Sequence, residues 1–359
     1  MIWLRWAYLL VCALALFILS TFVLPAQNWD MLAYIASAYS YLGFSGQALL
    51  DRTLADLAAT VSDSQFEYMT TDPFREVVTS DPESLSQLLP FYTIRPIYVG
   101  LVIAASSLTA TIGQATVVVS ALGGVAILLL SGALLIRSHP YVFYLAPLVL
   151  FLFDLFMVSR TSTPDGIAAA IAIGAIVISF KRPVLSAAAL PLLPLARTDF
   201  LILVPTILWA LYHRIPRVFA AIVFFLAICI YLGVNVAAEN YGHLTIFNYQ
   251  LIHGPMPYPA SIPISQDIAD YIIAYFEGAL RLVESREAWV ILIALTFVAL
   301  RPNFLGDHEA RLLIAGVAFM ALHFLAFPAA FSRSYFVTTW LALIVILGEI
   351  SRRLSASEA

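Results

Sequence analysis

Apolar residues are grouped along this chain in long runs, and each run is bounded by charged residues or by proline. A backbone inside a lipid bilayer must be helical, because a single segment cannot otherwise satisfy its own hydrogen bonds there. Several runs are shorter than the roughly 17–25 residues that a span needs, so those helices must recruit flanking residues or pack against neighbouring helices. The runs predict about ten membrane-spanning helices, near residues 5–25, 114–136, 139–158, 164–180, 183–196, 199–213, 216–237, 288–301, 310–331 and 334–351.

The segment 94–112 is apolar enough to cross the membrane, but four Ser and Thr residues dilute its second half. If it crossed, the basic connections at 137–139, 181–182 and 213–217 could not all lie on the side of Arg5. Short basic loops lie in the cytoplasm. We therefore predict that 94–112 is a juxtamembrane helix and that both termini are cytoplasmic. On this topology ten of the 18 basic residues, but only four of the 22 acidic residues, share the side of Arg5.

Two long segments then face outward, the first at 26–113 and the second at 238–287. Both carry apolar residues at helical spacing, and amphipathic helices of this kind lie along a membrane surface or cover a cavity. The first stripe is Met31, Tyr34, Ile35, Ala38, Tyr39 and Leu42. The second is Leu50, Leu54, Leu57 and Val61, opposed by Asp51, Arg52 and Asp56. The third is Ile268, Tyr271, Ile272, Tyr275, Phe276, Ala279 and Val283.

Composition places the chain among membrane proteins and argues against other classes. Hydrophobic residues make up 62% of the chain and charged residues 11%, against roughly 25% charged residues in a soluble domain. The formal charge of -4 argues against a nucleic-acid partner. The cysteines, Cys12 and Cys229, lie in apolar runs and predict no disulfide framework. The sequence predicts an all-α, polytopic protein with one transmembrane domain over 1–359. Its first run exceeds the about 7–15 apolar residues of a signal-peptide core, which favours a retained span.

Two aspartates lie where the chain meets the outer surface. Asp30 follows Pro25, where the first run ends, and it either caps a helix that begins at Met31 or stands as a carboxylate over a cavity. Asp165 lies in the connection SRTSTPDG (159–166), where Thr163 as cap and a proline in the first turn would by themselves explain an acid. Charge at this depth is costly and indicates function by default. Both interpretations of each aspartate stay open.

Four arginines stand at predicted outer helix ends, namely Arg95, Arg160, Arg197 and Arg333. A single arginine there would be an interfacial anchor, but four of them, with few lysines elsewhere, suggest recognition of phosphate by the forked guanidinium group. Asp154 is predicted to be the structural partner of Arg160. The loop histidines His243 and His253 lack metal-ligand spacing, so we predict no metal site, while use of a divalent metal stays open.

The order of these features resembles the GT-C superfamily of membrane glycosyltransferases, the group of the protein O-mannosyltransferases and the bacterial aminoarabinose transferases. An early outer acid (Asp30) is followed by FYTIRPIY (91–98), TSTPDG (161–166), LARTDFLIL (195–203) and FPAAFSRSYF (327–336). The resemblance implies transfer of a sugar from a polyprenyl-phosphate donor to a lipid, glycan or protein acceptor, at the periplasmic face of a bacterial inner membrane. The chain carries Asn28-Trp29-Asp30 where the family has a paired acidic doublet, and it has no large soluble C-terminal domain.

Roles for individual residues follow from this resemblance. It implies that Asp30 and Asp165 are catalytic carboxylates. It implies that the donor phosphate is bound by Arg95, Arg160, Arg197 and Arg333. Contacts to substrate are expected from Tyr34, Tyr92, Asp199 and Tyr335. Two alternatives remain: a polymerase of polyprenyl-linked polysaccharide, which needs no early aspartate, and a transporter or flippase of lipid-linked sugars, which would place charges near the membrane midplane.

Overall fold

A computed structural model of the chain describes residues 2–301, 307–329 and 332–358, and this part is helical without β-strands. The α-helices are α1 (Ile2–Ile18), α2 (Trp29–Tyr41), α3 (Gly46–Thr60), α4 (Asp63–Thr70), α5 (Pro73–Ser80), α6 (Pro82–Leu88), α7 (Pro90–Thr93), α8 (Pro96–Ser106), α9 (Ile112–Leu135), α10 (Pro140–Leu150), α11 (Phe156–Arg160), α12 (Asp165–Ser179), α13 (Pro183–Ala189), α14 (Leu193–Ala196), α15 (Leu203–Ala210), α16 (Arg217–Ala237), α17 (His243–Phe247), α18 (Ile268–Glu284), α19 (Arg286–Ala299), α20 (His308–Ala326) and α21 (Ser332–Ser357). Short π or 3-10 turns lie at Leu19–Val23, Phe151–Leu155, Leu190–Leu192, Thr198–Leu201, Asn248–Ile252 and Pro259–Ser261.

Each predicted span has a helical counterpart, although the last two residues of the span 310–331 lie outside the described residues. Six helical stretches are long and apolar enough to cross a membrane: Ile2–Val23, Ile112–Leu135, Pro140–Arg160, Arg217–Ala237, His308–Ala326 and Arg333–Ser357. Three others, Asp165–Ser179, Pro183–Ala196 and Thr198–Ala210, are shorter apolar helices, and α19 has 14 residues. The architecture is therefore that of a helical membrane protein with six helices that meet the length of a span.

The region 82–106, which includes most of the predicted juxtamembrane segment, is a sharply bent helix pair. Pro82–Thr93 and Pro96–Ser106 meet at a bend of 108°. Arg95 stands at this bend as the residue that precedes α8, and Pro96 removes an N–H donor that would otherwise continue the helical ladder. The 11 residues of α8 span about 16 Å, about half the thickness of a bilayer core.

Contacts between helix termini define two ends of the bundle. At the loop end, the Ala26 N–H donates to the Arg160 carbonyl, and His323 of α20 lies beside Asp199. At the far end, the Arg5 guanidinium donates to the carbonyls of Ile136 and Ser138, which follow α9. His308 at the start of α20 lies against Ser179 at the end of α12, also at the far end. Pro183–Ala196 and Thr198–Ala210 form the predicted hairpin, because Arg197 reaches the loop end and Arg214 returns to the far end.

A close approach of α9 and α12 brings the start of α12 into the bundle. A Cβ at Gly123 would lie 2.5 Å from the carbonyl carbon of Gly166, which is too close for any side chain. Small residues of this kind let two helices pack with their backbones nearly in contact. This contact places Asp165, the buried first residue of α12, beside α9.

The outer layer is built by α2 to α8 around its own hydrophobic cluster, to which Tyr249 and Ile262 of the second outer segment also contribute. Four residues of the first predicted stripe, Met31, Tyr34, Ile35 and Ala38, are buried in it as expected, whereas Leu42 is exposed. The prediction for Asp56 as part of a polar face is wrong. This side chain is buried and accepts hydrogen bonds from the N–H groups of Ile112 (2.9 Å) and Gly113 (2.8 Å), the otherwise unsatisfied donors at the start of α9.

The third predicted amphipathic helix, α18, turns much of its apolar stripe away from the protein. Ile268, Ile272 and Phe276 are exposed, while Gly278 packs against the carbonyl of Pro328. The exposed face of α18 therefore does not cover a cavity of the protein. An exposed apolar face fits the other predicted position of such a helix, along a membrane surface.

Candidate functional site

The guanidinium of Arg333 connects the two aspartates that were predicted to be catalytic. Its Nη1 lies 3.3 Å from Oδ2 of Asp30 and 3.7 Å from Oδ2 of Asp165. Arg333 lies in the first turn of the last long helix, α21, and Asp30 lies in α2, 303 positions earlier in the chain. The loop end of the bundle thus brings together three site residues that the sequence predicted separately.

Asp30 is the second residue of α2 and is not its cap. Asn28 occupies the N-cap position, and its side-chain amide donates to Asp30 Oδ2 at 2.9 Å. The Tyr92 hydroxyl donates to Asp30 Oδ1 at 3.2 Å. The helix begins two residues before Met31, so of the two interpretations left open for Asp30, the one as a helix cap is wrong. A negative charge in the first turn is still favoured by the helix dipole, and the carboxylate keeps 23% of its surface exposed.

Asp165 and Asp199 are held by one arginine. Arg197 Nε and Nη2 donate to the two oxygens of Asp199 at 3.0 and 2.7 Å, and its Nη1 donates to Asp165. The Thr163 hydroxyl adds a 2.8 Å hydrogen bond to Asp165, so this threonine binds the aspartate instead of capping α12, whose N-cap position is Pro164. Bidentate pairs of this kind fix orientation as well as charge. Arg197, at 10% side-chain exposure, therefore orients two carboxylates here, and its predicted role as a phosphate ligand finds no support in these contacts.

His323 is a site residue that sequence reasoning missed. Its Nε2 lies 3.1 Å from Asp199 Oδ2, and its ring lies 5.5 Å from that of Tyr335. Tyr335 is buried and its hydroxyl has no hydrogen-bond partner among the described residues. A signal was available, because a histidine inside an apolar span is by default a functional candidate. Ser334 was also missed, and it accepts a 3.4 Å hydrogen bond from Arg197.

A group of tyrosines forms the wall of the site beside Asp30. The rings of Tyr34 and Tyr92 meet edge to face at 5.1 Å, and Tyr34 contacts Tyr98 in the same way at 4.8 Å. Burial raises the pKa of Tyr92 well above its usual value, and the negative charge of Asp30 adds to this effect. Burial likewise raises the pKa of Tyr34 and of Tyr249, which lies in the second outer segment. These phenols therefore remain protonated hydrogen-bond donors at neutral pH.

Arg95 and Arg160 differ from Arg197 in having no carboxylate within ion-pair distance among the described residues. Arg95 donates to the Phe91 carbonyl at 2.7 Å, and its charge acts on both Tyr34 and Asp165. Arg160 stacks over the Phe156 ring at 5.1 Å, and its buried Nε has no hydrogen-bond partner in the described structure. These two guanidinium groups are therefore available to an anion.

The predicted pairing of Asp154 with Arg160 is wrong. Asp154 Oδ1 instead lies 2.5 Å from Nη2 of Arg286, at the start of α19. The helix unwinds at Phe153 and Asp154, and Asp154 has a φ of 64°, a left-handed conformation that is uncommon outside glycine. The unwound turn changes the direction of the side chain, so regular helical spacing to Arg160 no longer applies.

The described residues contain no group of three or more His, Cys, Asp or Glu side chains that could hold a metal ion. His253 contacts the Pro263 carbonyl, and His243 packs its ring against Phe247. Neither predicted loop histidine lies among the residues that surround Asp30.

The loop end therefore combines a partly exposed carboxylate, protonated phenols and arginines that lack acidic partners. Such a site can accept a proton at Asp30 and hold an anion beside it. Comparison of the chain with protein-family models, with curated proteins and with solved structures finds no match.

Proposed function

We propose that this protein is a GT-C-like membrane glycosyltransferase that moves a sugar from a polyprenyl-phosphate donor to an acceptor hydroxyl. The observation that carries the proposal is the position of Asp30. Its carboxylate is partly exposed, receives a hydrogen bond from Tyr92 and an ion pair from Arg333, and lies in the same site as Arg95. The acceptor is a lipid, glycan or protein that carries a hydroxyl group.

The donor phosphate is assigned to Arg95, Arg160 and Arg333. Arg95 and Arg160 have no carboxylate at ion-pair distance in the described structure, and Arg333 lies between the two aspartates. The guanidinium group suits phosphate because its planar fork binds two oxygens at once. The prenyl chain of the donor stays in the bilayer while its phosphate and sugar reach the loop end.

The proposed reaction is a single displacement. Asp30 accepts the proton of the acceptor hydroxyl as its oxygen attacks the anomeric carbon. The bond from the anomeric carbon to the phosphate oxygen breaks, and the arginines stabilise the charge on the departing phosphate. Asp165 acts through Arg333, which it orients. Because no covalent link between sugar and carboxylate forms, the product has inverted configuration.

The proposed topology has ten spans, with both termini in the cytoplasm and the loop end in the periplasm. The shorter helices Asp165–Ser179, Pro183–Ala196 and Thr198–Ala210 are counted as spans, since packing against neighbours compensates for their length. The hairpin that turns at Arg197 supports this count, because it joins the far end to the loop end and returns.

The proposal is tested with Asp30→Asn in membranes supplied with a radiolabelled polyprenyl-phosphate sugar. The substitution keeps the size of the side chain but removes its basicity. We expect sugar transfer to fall by about 10²–10⁴-fold, the usual worth of a general base, while expression and behaviour in detergent are unchanged.

The matched control is Asp51→Asn, the same change at an exposed position of α3 outside the site. It should transfer sugar like the unmodified protein. Transfer at the normal rate by a well-folded Asp30→Asn protein would exclude Asp30 as the base. It would then favour the polymerase alternative, which needs no early aspartate, or the transporter alternative.

A further inference from the structure

A second cluster of basic side chains lies at the far end of the bundle, around the last residue of α12. The Arg214 guanidinium donates to the Phe180 carbonyl at 3.0 Å. His308 Nε2 lies 2.8 Å from the Ser179 hydroxyl, and its ring meets the Phe180 ring edge to face at 5.0 Å. Ser179, the last residue of α12, and Phe180, which follows it, therefore hold His308 and Arg214 in place.

Arg311 completes the cluster from the next turn of α20, since residues three apart on a helix are neighbours. The charges of Arg311 and Arg214 both act on the His308 ring, as does the opposite charge of Asp307. Arg311 Nε and His308 Nδ1 are buried and have no hydrogen-bond partner in the described part of the protein. The cluster thus presents two buried nitrogen atoms without partners.

The protonation of the His308 ring follows from its neighbour. The Ser179 hydroxyl donates to the Ile176 carbonyl at 2.6 Å, so towards His308 it can only accept. His308 Nε2 therefore carries a hydrogen, and Nδ1 becomes a second donor when the ring is protonated. An anion beside Nδ1 would favour that protonation, because a nearby opposite charge stabilises the protonated ring.

Three arginines at the far end are neutralised by acids, unlike those of this cluster. Arg301, Arg352 and Arg353 form ion pairs within a network of acids that consists of Asp307, Glu309 and Glu349. Arg214 and Arg311 have no carboxylate within 4.0 Å among the described residues. Lys181 and Arg182, both exposed, follow Phe180 directly and add to the local positive charge.

We propose that Arg214, His308 and Arg311 form a binding site for a phosphate group, which belongs either to an anionic lipid headgroup or to a soluble phosphate. The site is separate from the loop end and does not depend on the function proposed there. Forked guanidinium groups beside an imidazole suit a phosphate. Basic pockets between transmembrane helices bind anionic headgroups in the same way.

The test is thermal unfolding of the purified full-length protein in dodecyl maltoside, with phosphatidylglycerol, phosphatidylcholine or inorganic phosphate added at matched ionic strength. We expect a larger rise in Tm with phosphatidylglycerol, or with inorganic phosphate, than with phosphatidylcholine and chloride. A rise with phosphatidylglycerol identifies a lipid headgroup as the source of the phosphate, and a rise with inorganic phosphate identifies a soluble ligand. Arg311→Gln should weaken the apparent affinity about fivefold, which corresponds to about 1 kcal/mol for one basic side chain at a membrane surface.

Arg137→Gln removes an exposed arginine at the same end of the bundle and serves as the charge-matched control. It should keep the full response. Arg214→Gln also removes the hydrogen bond to Phe180, so Arg214→Lys, which keeps the charge, is compared with it. Binding to the unmodified protein is measured directly by native mass spectrometry. The proposal is overturned if no phosphate-bearing reagent acts on the unmodified protein, or if Arg137→Gln and Arg311→Gln lose the response equally.

Discussion

At the scale of single residues, arginines at the loop end differ in what surrounds their guanidinium groups. Arg197 is buried between Asp165 and Asp199, and its donors are engaged by these two carboxylates and by Ser334. Arg95 makes one hydrogen bond to a carbonyl and has no acidic partner in the described structure. A buried, paired arginine and an unpaired one should respond to the same substitution in different ways.

We expect Arg95→Gln to leave folding intact and to weaken binding of the polyprenyl-phosphate sugar donor. Loss of one hydrogen bond to a charged group costs about 1.5 kcal/mol or more, so the apparent affinity for donor should fall about 10-fold. The dependence of the transfer rate on donor concentration measures this. Arg52→Gln is the matched control, because Arg52 lies exposed on α3 and stacks over Phe44. Equal effects of both substitutions would rule out a specific role for Arg95.

We expect Arg197→Gln to destabilise the protein instead. It leaves the carboxylates of Asp165 and Asp199 without their main partner, and breaking a buried pair costs up to about 3–5 kcal/mol. Thermal unfolding in detergent should show a clearly lower Tm than for Arg95→Gln. Replacing both aspartates by Asn in the Arg197→Gln protein should restore part of the loss. An unchanged Tm for Arg197→Gln would show that this cluster does not stabilise the bundle.

At the scale of elements, the contact between α9 and α12 determines where Asp165 lies. Backbone atoms of Gly166 occupy the space that a Cβ at Gly123 would need, and backbone cannot move aside as a flexible side chain can. Farther along the same helix pair, a Cβ at Gly174 would meet the Leu130 side chain at 3.7 Å, an ordinary contact. The interface between α9 and α12 should therefore tolerate an added methyl group at Gly174 but not at Gly123.

We predict that Gly123→Ala lowers stability by about 1–3 kcal/mol, the usual cost of overpacking a well-packed contact. Sugar transfer should fall with it, since α12 carries Asp165. Gly174→Ala adds the same methyl group to the same helix pair and should be neutral in both thermal unfolding and transfer. If both variants behave alike, the tight contact at Gly123 does not position the site.

At the scale of the whole molecule, the distribution of charged groups between the two ends predicts which end faces which compartment. Cysteine labelling in intact cells tests this, in a background in which Cys12 and Cys229 are replaced by Ala. An impermeant thiol reagent should label Asp63→Cys in the outer layer and should not label Arg182→Cys at the far end. Labelling of Arg182→Cys would reverse the orientation and place the candidate site in the cytoplasm.

The apolar runs predict the helices because helix formation in a membrane is a local matter. A long apolar stretch must satisfy its own backbone, whatever its neighbours are. For this reason every predicted span coincides with a helical stretch, and Arg95, Arg197 and Arg333 lie at helix ends as expected. The number of spans was not determined by the same rule, because a helix as short as α12 crosses only if other helices surround it.

The details of the site depend on residues far apart in the chain, and no periodic pattern reports on such pairs. Tertiary packing brought Arg333 to Asp30, set His323 against Asp199 and turned Asp154 towards Arg286. The physical reason is the cost of an unpaired charge in a low-dielectric interior, which each side chain avoids by taking whatever partner the fold supplies. Sequence alone determined that Asp30, Arg197 and Arg333 would lie at helix ends, and tertiary structure decided which charged groups meet.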